Sequence, residues 1–395
     1  MAAFVPHEPR RQRQGVALCL SGGGFRAALF HLGALRRLNE LGILSQIDVI
    51  SSVSGGSIFA AHLAERIPIW PEAGAVVANW DDVVAAPFRS FAQRNRRTGP
   101  VLRRLIPTNW RRPGTAVEAL GTVLQHELTS LTLNDLPERP RFIFSATDMT
   151  FGTNWMFERD RIGNFLAGYG SPTPEWTVAR AVAASSCFPP VFDPMPLHLE
   201  PHQLRGGSAR QTNRDELVSR LCLTDGGVYD NLGLEPVWKT AKIVLVSDGG
   251  APFGHESDPG VIRRLFRYTS IIGNQAAAVR KRWLIAALAT GRHEGAYWGV
   301  TSTTERHGAS EGYPFDLVTE VIAKVRTDLD AFSRAEIGIL ENHGYLMAGA
   351  AIQRRIPHVI RVHAPLAVPN PDWMDGERVR SALCGSDART FLGRW

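Results

Sequence analysis

The chain has 395 residues, 44 lysine and arginine against 38 aspartate and glutamate, a formal net charge of +6 and 44% hydrophobic residues. These values describe a globular protein large enough for a substantial buried core and exclude a low-complexity or disordered chain. Cys19, Cys187, Cys222 and Cys384 stand far apart without a CxxC pair, which speaks against a zinc site or a thioredoxin-type motif and leaves buried free thiols as the expectation.

Residues 1–14 are polar and basic and are expected to form a loose arm. They lack a basic region followed by a long apolar region, and no window approaches the ~18 uncharged apolar residues of a spanning helix, so a soluble, cytoplasmic protein is expected. The run "GVALCL" (15–20) is short and apolar and reads as a buried strand. Phe25, Leu29, Leu32, Leu35 and Leu38 recur at helical spacing until Gly42. "IDVISSVSGG" (47–56) predicts a second strand ending in a sharp turn, and "SIFAAHLAERI" (57–67) a second helix. Strand, helix, strand, helix is a βαβ start, which predicts an α/β fold with a mostly parallel sheet flanked by helices.

Residues 66–140 are rich in proline, arginine and tryptophan and predict a helical insertion, with pieces near 80–94 and 115–129. Strands are expected at 141–149, 154–159 and 242–250, helices at 176–185, 258–290 and 317–350, and a polar loop at 202–220. No repeat or linker divides the chain. One domain over 15–365 is expected, with a tail at 366–395.

Three consecutive glycines in "SGGGFR" (21–26), between a strand and a helix, demand a reason. A dinucleotide fingerprint fits loosely through Gly22, Gly24 and Ala27, but the second strand does not end in the acid that would hold a ribose. A phosphate loop would need Gly-Lys-Ser/Thr, which is absent. The third explanation is an oxyanion hole, in which backbone N–H groups at a helix start face developing negative charge. That needs a nucleophile nearby, and "SSVSGGS" (51–57) offers one. Ser54 sits at a strand-to-helix turn followed by Gly55 and Gly56, the setting of a nucleophile elbow, with Ser52 where G-x-S-x-G has its first glycine.

A serine needs a base. His31 and His62 lie in apolar helices and read as core histidines; His343, in "ENHGY", is the remaining histidine candidate, in what reads as a helix C-terminus. Two Asp-Gly-Gly turns, at Asp225 and Asp248, each end a strand and could present a carboxylate at the sheet's edge.

The segments "LCLSGGGFRAALFHLGAL", "SSVSGGS", "ARAVAASSCFPPVFDP" and "LTDGGVYDNLGLEPV" occur in the order of the patatin-like phospholipase family, which the chain resembles over roughly residues 14–252. "FSATDMTFGTNWMF" (144–157) resembles the family's strand pair after the insertion. The resemblance implies a Ser–Asp dyad without histidine: Ser54 as nucleophile, Asp225 as base, and the backbone of Gly22, Gly23 and Gly24 holding the oxyanion. Asp225 is preferred to Asp248 because "DGGVYDNLG" carries the family's downstream residues. Arg26 matches the family's loop arginine and is expected to order the loop rather than touch a substrate phosphate. Gly55, Gly226 and Gly227 are expected to support the turns, and Asn231 to lie near the site. Phospholipid or another acyl lipid is the implied substrate, hydrolysed through an acyl-enzyme with no metal or organic cofactor. A soluble-ester or thioester hydrolase, an acyltransferase, or a non-catalytic lipid-binding protein are the alternatives.

Residues 94–112, "RNRRTGPVLRRLIPTNWRR", hold seven arginines and no acid, interleaved with apolar side chains. Two readings stand: an interfacial patch contacting anionic lipid between Arg94 and Arg112, or a solvated insertion. No nucleic-acid motif accompanies the charge, so no nucleic-acid partner is expected.

Overall fold

The computed structural model describes residues 12–104, 106–109, 112–209, 213–254 and 260–386. Among the described residues ten strands form one sheet: β1 Val16–Leu20, β2 Ile47–Val53, β3 Arg141–Asp148, β4 Thr153–Phe157, β5 Ile162–Asn164, β6 Gly168–Gly170, β7 Met195–Pro196, β8 Cys222–Asp225, β9 Ile243–Asp248 and β10 Glu294–Gly299. The order along the sheet is β10-β9-β1-β2-β3-β4-β5-β6, with β8 also on β3 and β7 on β8. From β10 to β3 every pairing is parallel; β4, β5, β6, β7 and β8 add antiparallel pairings. The fold is α/β, with a central sheet flanked by helices.

The helices are α1 Gly24–Glu40, α2 Gly55–Arg66, α3 Ala86–Ala92, α4 Thr98–Arg104, α5 Thr115–Glu127, α6 Val178–Ser185, α7 Arg214–Val218, α8 Gly227–Asp230, α9 Val261–Ala289, α10 Phe315–Glu320, α11 Arg334–Arg355 and α12 Gly376–Leu383. Strand β1 shows why the sheet is covered on both faces. Its residues Leu18 and Leu20 join one apolar cluster with α1, α2 and α11, while Ala17 and Cys19 join another with Val244, Val246, Val237, Trp238, Leu284 and Ala287. Side chains alternate across a strand, so an unbroken apolar run means a layer on each side.

The helix expected at 317–350 is interrupted. Between α10 and α11 the chain leaves helical geometry, and Asp328 O accepts from Phe25 N at 2.8 Å, so this connection seats the first turn of α1. Helix α11 then starts at a capping box formed by Ser333 and Glu336. His343 therefore lies in the middle of α11, not at a C-terminus: Gly344 does not end the helix but packs it against α1. Strand β10, with Gly295 and Gly299, and the β5–β6 hairpin were not expected, because glycine in a short run argues against a strand. The short α7 lies inside the predicted 202–220 loop. All four cysteines are free thiols, but only Cys19 and Cys187 are buried; Cys222 is half-buried and Cys384 exposed. The expected arm at 1–14 falls mostly, and the end of the tail wholly, outside the described residues. Among the described residues no helix is long and apolar enough to cross a membrane.

Helices α1 and α11 meet backbone to backbone. A Cβ at Gly33 would collide with Glu341 O, and one at Gly344 with Phe30 O. Gly344→Ala is therefore expected to destabilise the fold by about 1–3 kcal/mol through overpacking. An unchanged denaturant midpoint for this variant would show that the two helices are not in such contact.

Candidate functional site

The site begins with the two neighbours that share one edge of β3. Strand β2 pairs along β3 as far as Val53 opposite Ser145. Strand β8 takes over on the next residue, with Asp225 opposite Ala146. Ser54, which follows Val53, and Asp225, which ends β8, are thereby brought together although 171 positions separate them in the chain. Gly226 permits the meeting: a Cβ there would collide with Ser145 O and lie 3.0 Å from Val53 Cγ1.

Ser54 has φ 50° and ψ −118°, a conformation costly for any residue with a side chain. It caps α2, and three buried serines hold it there. Its N–H donates to Ser185 Oγ at 2.9 Å. Ser185 Oγ donates to Ser145 O at 2.6 Å and exchanges a hydrogen bond with Ser57 Oγ at 2.9 Å. Ser57 in turn reaches Ser52 Oγ at 3.1 Å, so the serine in the glycine position of the elbow has a structural use. Ser185 was not singled out from the sequence, although it stands in the quoted "AASSCFPP" segment; nothing local distinguishes it from Ser186.

The glycine loop lies directly against this turn. A Cβ at Gly22 would stand 3.1 Å from Ser54 Cβ and collide with Asn231 Oδ1, and one at Gly55 would collide with Gly24 O. Gly22 N donates to Asn231 O at 3.0 Å. This departs from the expectation that all three glycines face an oxyanion, because the Gly22 amide already has an acceptor. The Gly23 and Gly24 amides, at the start of α1, have no acceptor among the described residues.

Behind the loop, three side chains latch it to the end of β9. Arg26, buried, donates to Gly249 O at 3.1 and 3.0 Å, Ala323 O at 3.3 Å and Val325 O at 3.0 Å. Burial lowers its pKa to about 10 against the pull of Asp248, and it stays charged at neutral pH. Ser21 Oγ accepts from Gly249 N at 2.8 Å. His31 bridges Ser21 O at 3.0 Å and Ser247 Oγ at 2.8 Å. Burial lowers the pKa of His31, His62 and His343 to about 4, leaving all three neutral. His62 contacts Val84 O and His343 contacts Val300 O, on other elements.

The two Asp-Gly-Gly turns are alike locally and different in their surroundings. Asp225 Oδ1 accepts from Gly227 N at 2.7 Å, and Asp248 Oδ1 from Gly250 N at 2.9 Å. On Asp248 the other oxygen holds Lys281 Nζ at 2.6 Å and Tyr297 OH at 2.7 Å. Burial pushes Asp248 up, but Lys281 and Tyr297 more than offset it, and its pKa is lowered. Asp225 Oδ2 is buried without a hydrogen-bond partner among the described residues. Burial raises the Asp225 pKa to about 6, against the Gly227 amide and the nearby Ser54 hydroxyl, which pulls it down without reaching the geometry of a formed hydrogen bond. A strained serine beside an unpartnered, buried carboxylate, with free amides at a helix start, is an arrangement suited to acyl transfer.

The arginine-rich stretch is partly structural. Arg96 pairs with Glu127 and stacks over Phe91 at 4.7 Å, Arg97 pairs with Asp328, and Arg94 lies 3.6 Å from Glu127. The acids missing from the stretch come from elsewhere in the chain. Leu102, Arg103, Ile106 and Arg112 are exposed; Leu105, Trp110 and Arg111 lie outside the described residues.

A family model for patatin-like phospholipase matches residues 18–238, more than half of the chain. No curated relative matches it. Among solved structures, human GIVD cytosolic phospholipase A2 is similar at 12% identity and TM-score 0.45, over 94% of this chain and 62% of that one. The same human protein in complex with methyl gamma-linolenyl fluorophosphonate is similar at 14% identity and TM-score 0.48, over 88% and 59%. VipD from Legionella pneumophila is similar at 14% identity and TM-score 0.36, over 87% and 67%. The chain thus spans about three fifths of the length of the human chains.

The unpartnered carboxylate has a thermodynamic consequence. With a pKa near 6 folded, against 3.8 for the free group, Asp225 binds its proton more tightly in the native state. Its contribution to stability is present below the unfolded value and is lost as pH rises through about 6, a loss of about 3 kcal/mol at neutral pH. Asp225→Asn should therefore be more stable than wild type at neutral pH, and the gain should vanish near pH 4. Denaturant titrations at both pH values check this; equal midpoints at neutral pH would mean that the carboxylate is not held at a cost.

Proposed function

This chain belongs to the patatin-like phospholipase family, and from that membership we propose that it hydrolyses carboxylic esters of lipids with Ser54 as nucleophile and Asp225 as base. Asp225 Oδ2 takes the Ser54 proton as Oγ attacks the acyl carbonyl. The tetrahedral oxyanion forms against the Gly23 and Gly24 amides, each such donor worth about 3 kcal/mol of barrier. Collapse expels the alcohol portion, which takes the proton from Asp225, and leaves an acyl-Ser54 ester. Water, deprotonated by Asp225, then attacks the ester, and as the C–O bond to Ser54 breaks Asp225 returns the proton to Ser54 Oγ and the fatty acid leaves.

The observation that supports this reading is the shared edge of β3, where Val53 and Asp225 face consecutive residues, Ser145 and Ala146, so that Ser54 follows beside Asp225, whose Oδ2 has no partner among the described residues. The lipid substrate is favoured over a soluble ester by the exposed Phe188, three residues after Ser185, and Val228, three residues after Asp225. A degraded binding protein would have no use for a destabilising buried carboxylate. In this proposal residues 15–365 are one catalytic unit with 66–140 as insertion. The enzyme works in the cytoplasm, peripherally at a lipid surface, and the exposed outer part of the 94–112 stretch is one point of contact.

Ser54→Ala should lower turnover by about a thousandfold or more with normal folding, and Asp225→Asn nearly as much. For wild type, kcat/KM should rise with pH through an apparent pKa near 6. Asp248→Asn loses a Lys281 pairing, so it should lower stability while sparing activity per folded molecule; the reverse ranking of the two aspartates would overturn the assignment of the base. His343→Gln should keep most activity, and a loss matching Ser54→Ala in folded protein would mean a triad.

A further inference from the structure

Helix α9 is the element whose composition the fold does not explain. Over 29 residues it carries Arg263, Arg264, Arg267, Arg280, Lys281 and Arg282 and no acid. Among its described side chains only Leu284 and Ala287 are buried. Tyr268, Ile271, Ile272 and Val279, at helical i, i+3, i+4 and i+11 spacing, are all exposed, Ile272 to 68%. By helical geometry this stripe lies on a different face from Leu284 and Ala287. An apolar stripe of this kind on a soluble surface needs a partner.

The way α9 is held points the stripe's position toward the site. Its last third is fixed beside the two Asp-Gly-Gly turns. Arg280 lies 3.9 Å from Asp230 and 3.1 Å from Glu235, and its guanidinium stacks over Tyr229 at 4.9 Å. Lys281 holds Asp248, and Trp283 stacks on Trp238 with ring centroids 4.0 Å apart. Tyr229 and Asp230 belong to α8, which begins two residues after Asp225. The helix therefore extends from beside α8, which exposes Val228 three residues after Asp225.

We infer that α9 is an interfacial helix that docks the protein on an anionic lipid bilayer, with its Tyr268–Ile271–Ile272–Val279 stripe in the headgroup–acyl boundary. Charge selects this occupant. Arg280 and Lys281 are paired within the chain, but Arg267 and Arg282 still make an acid-free helix basic, so a second copy laying its own α9 on the stripe would bring like charges together, whereas anionic headgroups complement them. The helix is too polar to span a membrane, and a basic helix with an apolar stripe is of the kind that lies in the interface. The inference concerns binding and goes beyond the hydrolytic assignment.

The experiment is co-sedimentation of the full chain with vesicles of phosphatidylcholine plus phosphatidylglycerol, and with phosphatidylcholine alone, at low and high salt. Wild type is expected to pellet with the anionic vesicles and to be released by salt. Ile272→Asp combined with Val279→Asp should weaken binding by roughly tenfold or more, with hydrolysis of a short soluble ester unchanged. Because both positions are exposed, the variant should fold; Ile272→Ser with Val279→Ser is the milder pair if it does not. Equal binding by wild type and variant, no binding by wild type, or a wild-type dimer in sedimentation velocity that the variant dissociates would each overturn the inference, the last in favour of a second copy. Salt-sensitive binding that the variant loses, in a protein without esterase activity, would support the docking helix while sinking the hydrolytic assignment.

Discussion

The rest of the site depends on how one edge of β3 is divided. A strand has one hydrogen-bonding edge on each side, and β2 uses this one only as far as Ser145. The free remainder is paired by β8, running the opposite way. Where one partner stops and the other stops against it, two chain ends face each other, and both turn at once into helices, α2 and α8. The end-to-end meeting puts a serine hydroxyl and a carboxylate into the same small space without either residue reaching for the other. Everything nearby then serves to hold that junction: the Ser185–Ser57–Ser52 chain under the elbow, and Arg26, Ser21 and His31 behind the glycine loop.

The junction is kept under strain on both sides. Ser54 sits at a backbone angle that favours glycine, and Asp225 keeps an ionisable oxygen out of water with no hydrogen-bond donor on it among the described residues. Asp248 is the internal control for that statement. It has the same Asp-Gly-Gly sequence, a comparable burial and the same local amide contact, yet Lys281 and Tyr297 satisfy its second oxygen. One carboxylate is an anchor for α9; the other is left poised. Perturbed groups of the second kind cluster at functional sites because a satisfied carboxylate is a poor base.

Much of this order was legible before any coordinates. The buried strands β1, β2, β3 and β9 announced themselves as short apolar runs, and α1 by its leucine spacing. Other features carried no local signal. Strand β10 is interrupted by glycines that exist because Gly295 packs over Val244 O, a contact visible only once β9 is its neighbour. His343 read as a helix end because Gly344 follows it, whereas that glycine serves the crossing of α1. The arginines at 94, 96 and 97 looked unpaired because Glu127 and Asp328 are far along the chain.

The sequence by itself determined the α/β class, the strand-to-helix turn at Ser54, the glycine loop before α1 and the two candidate aspartates, because each is written in contiguous residues obeying local steric rules. Only the tertiary structure decided which glycine amides remain free, that Asp225 rather than Asp248 has an unsatisfied oxygen, and that α9 carries its apolar stripe outward. Those are properties of neighbours, and strand pairing and burial bring neighbours from positions that no local pattern connects.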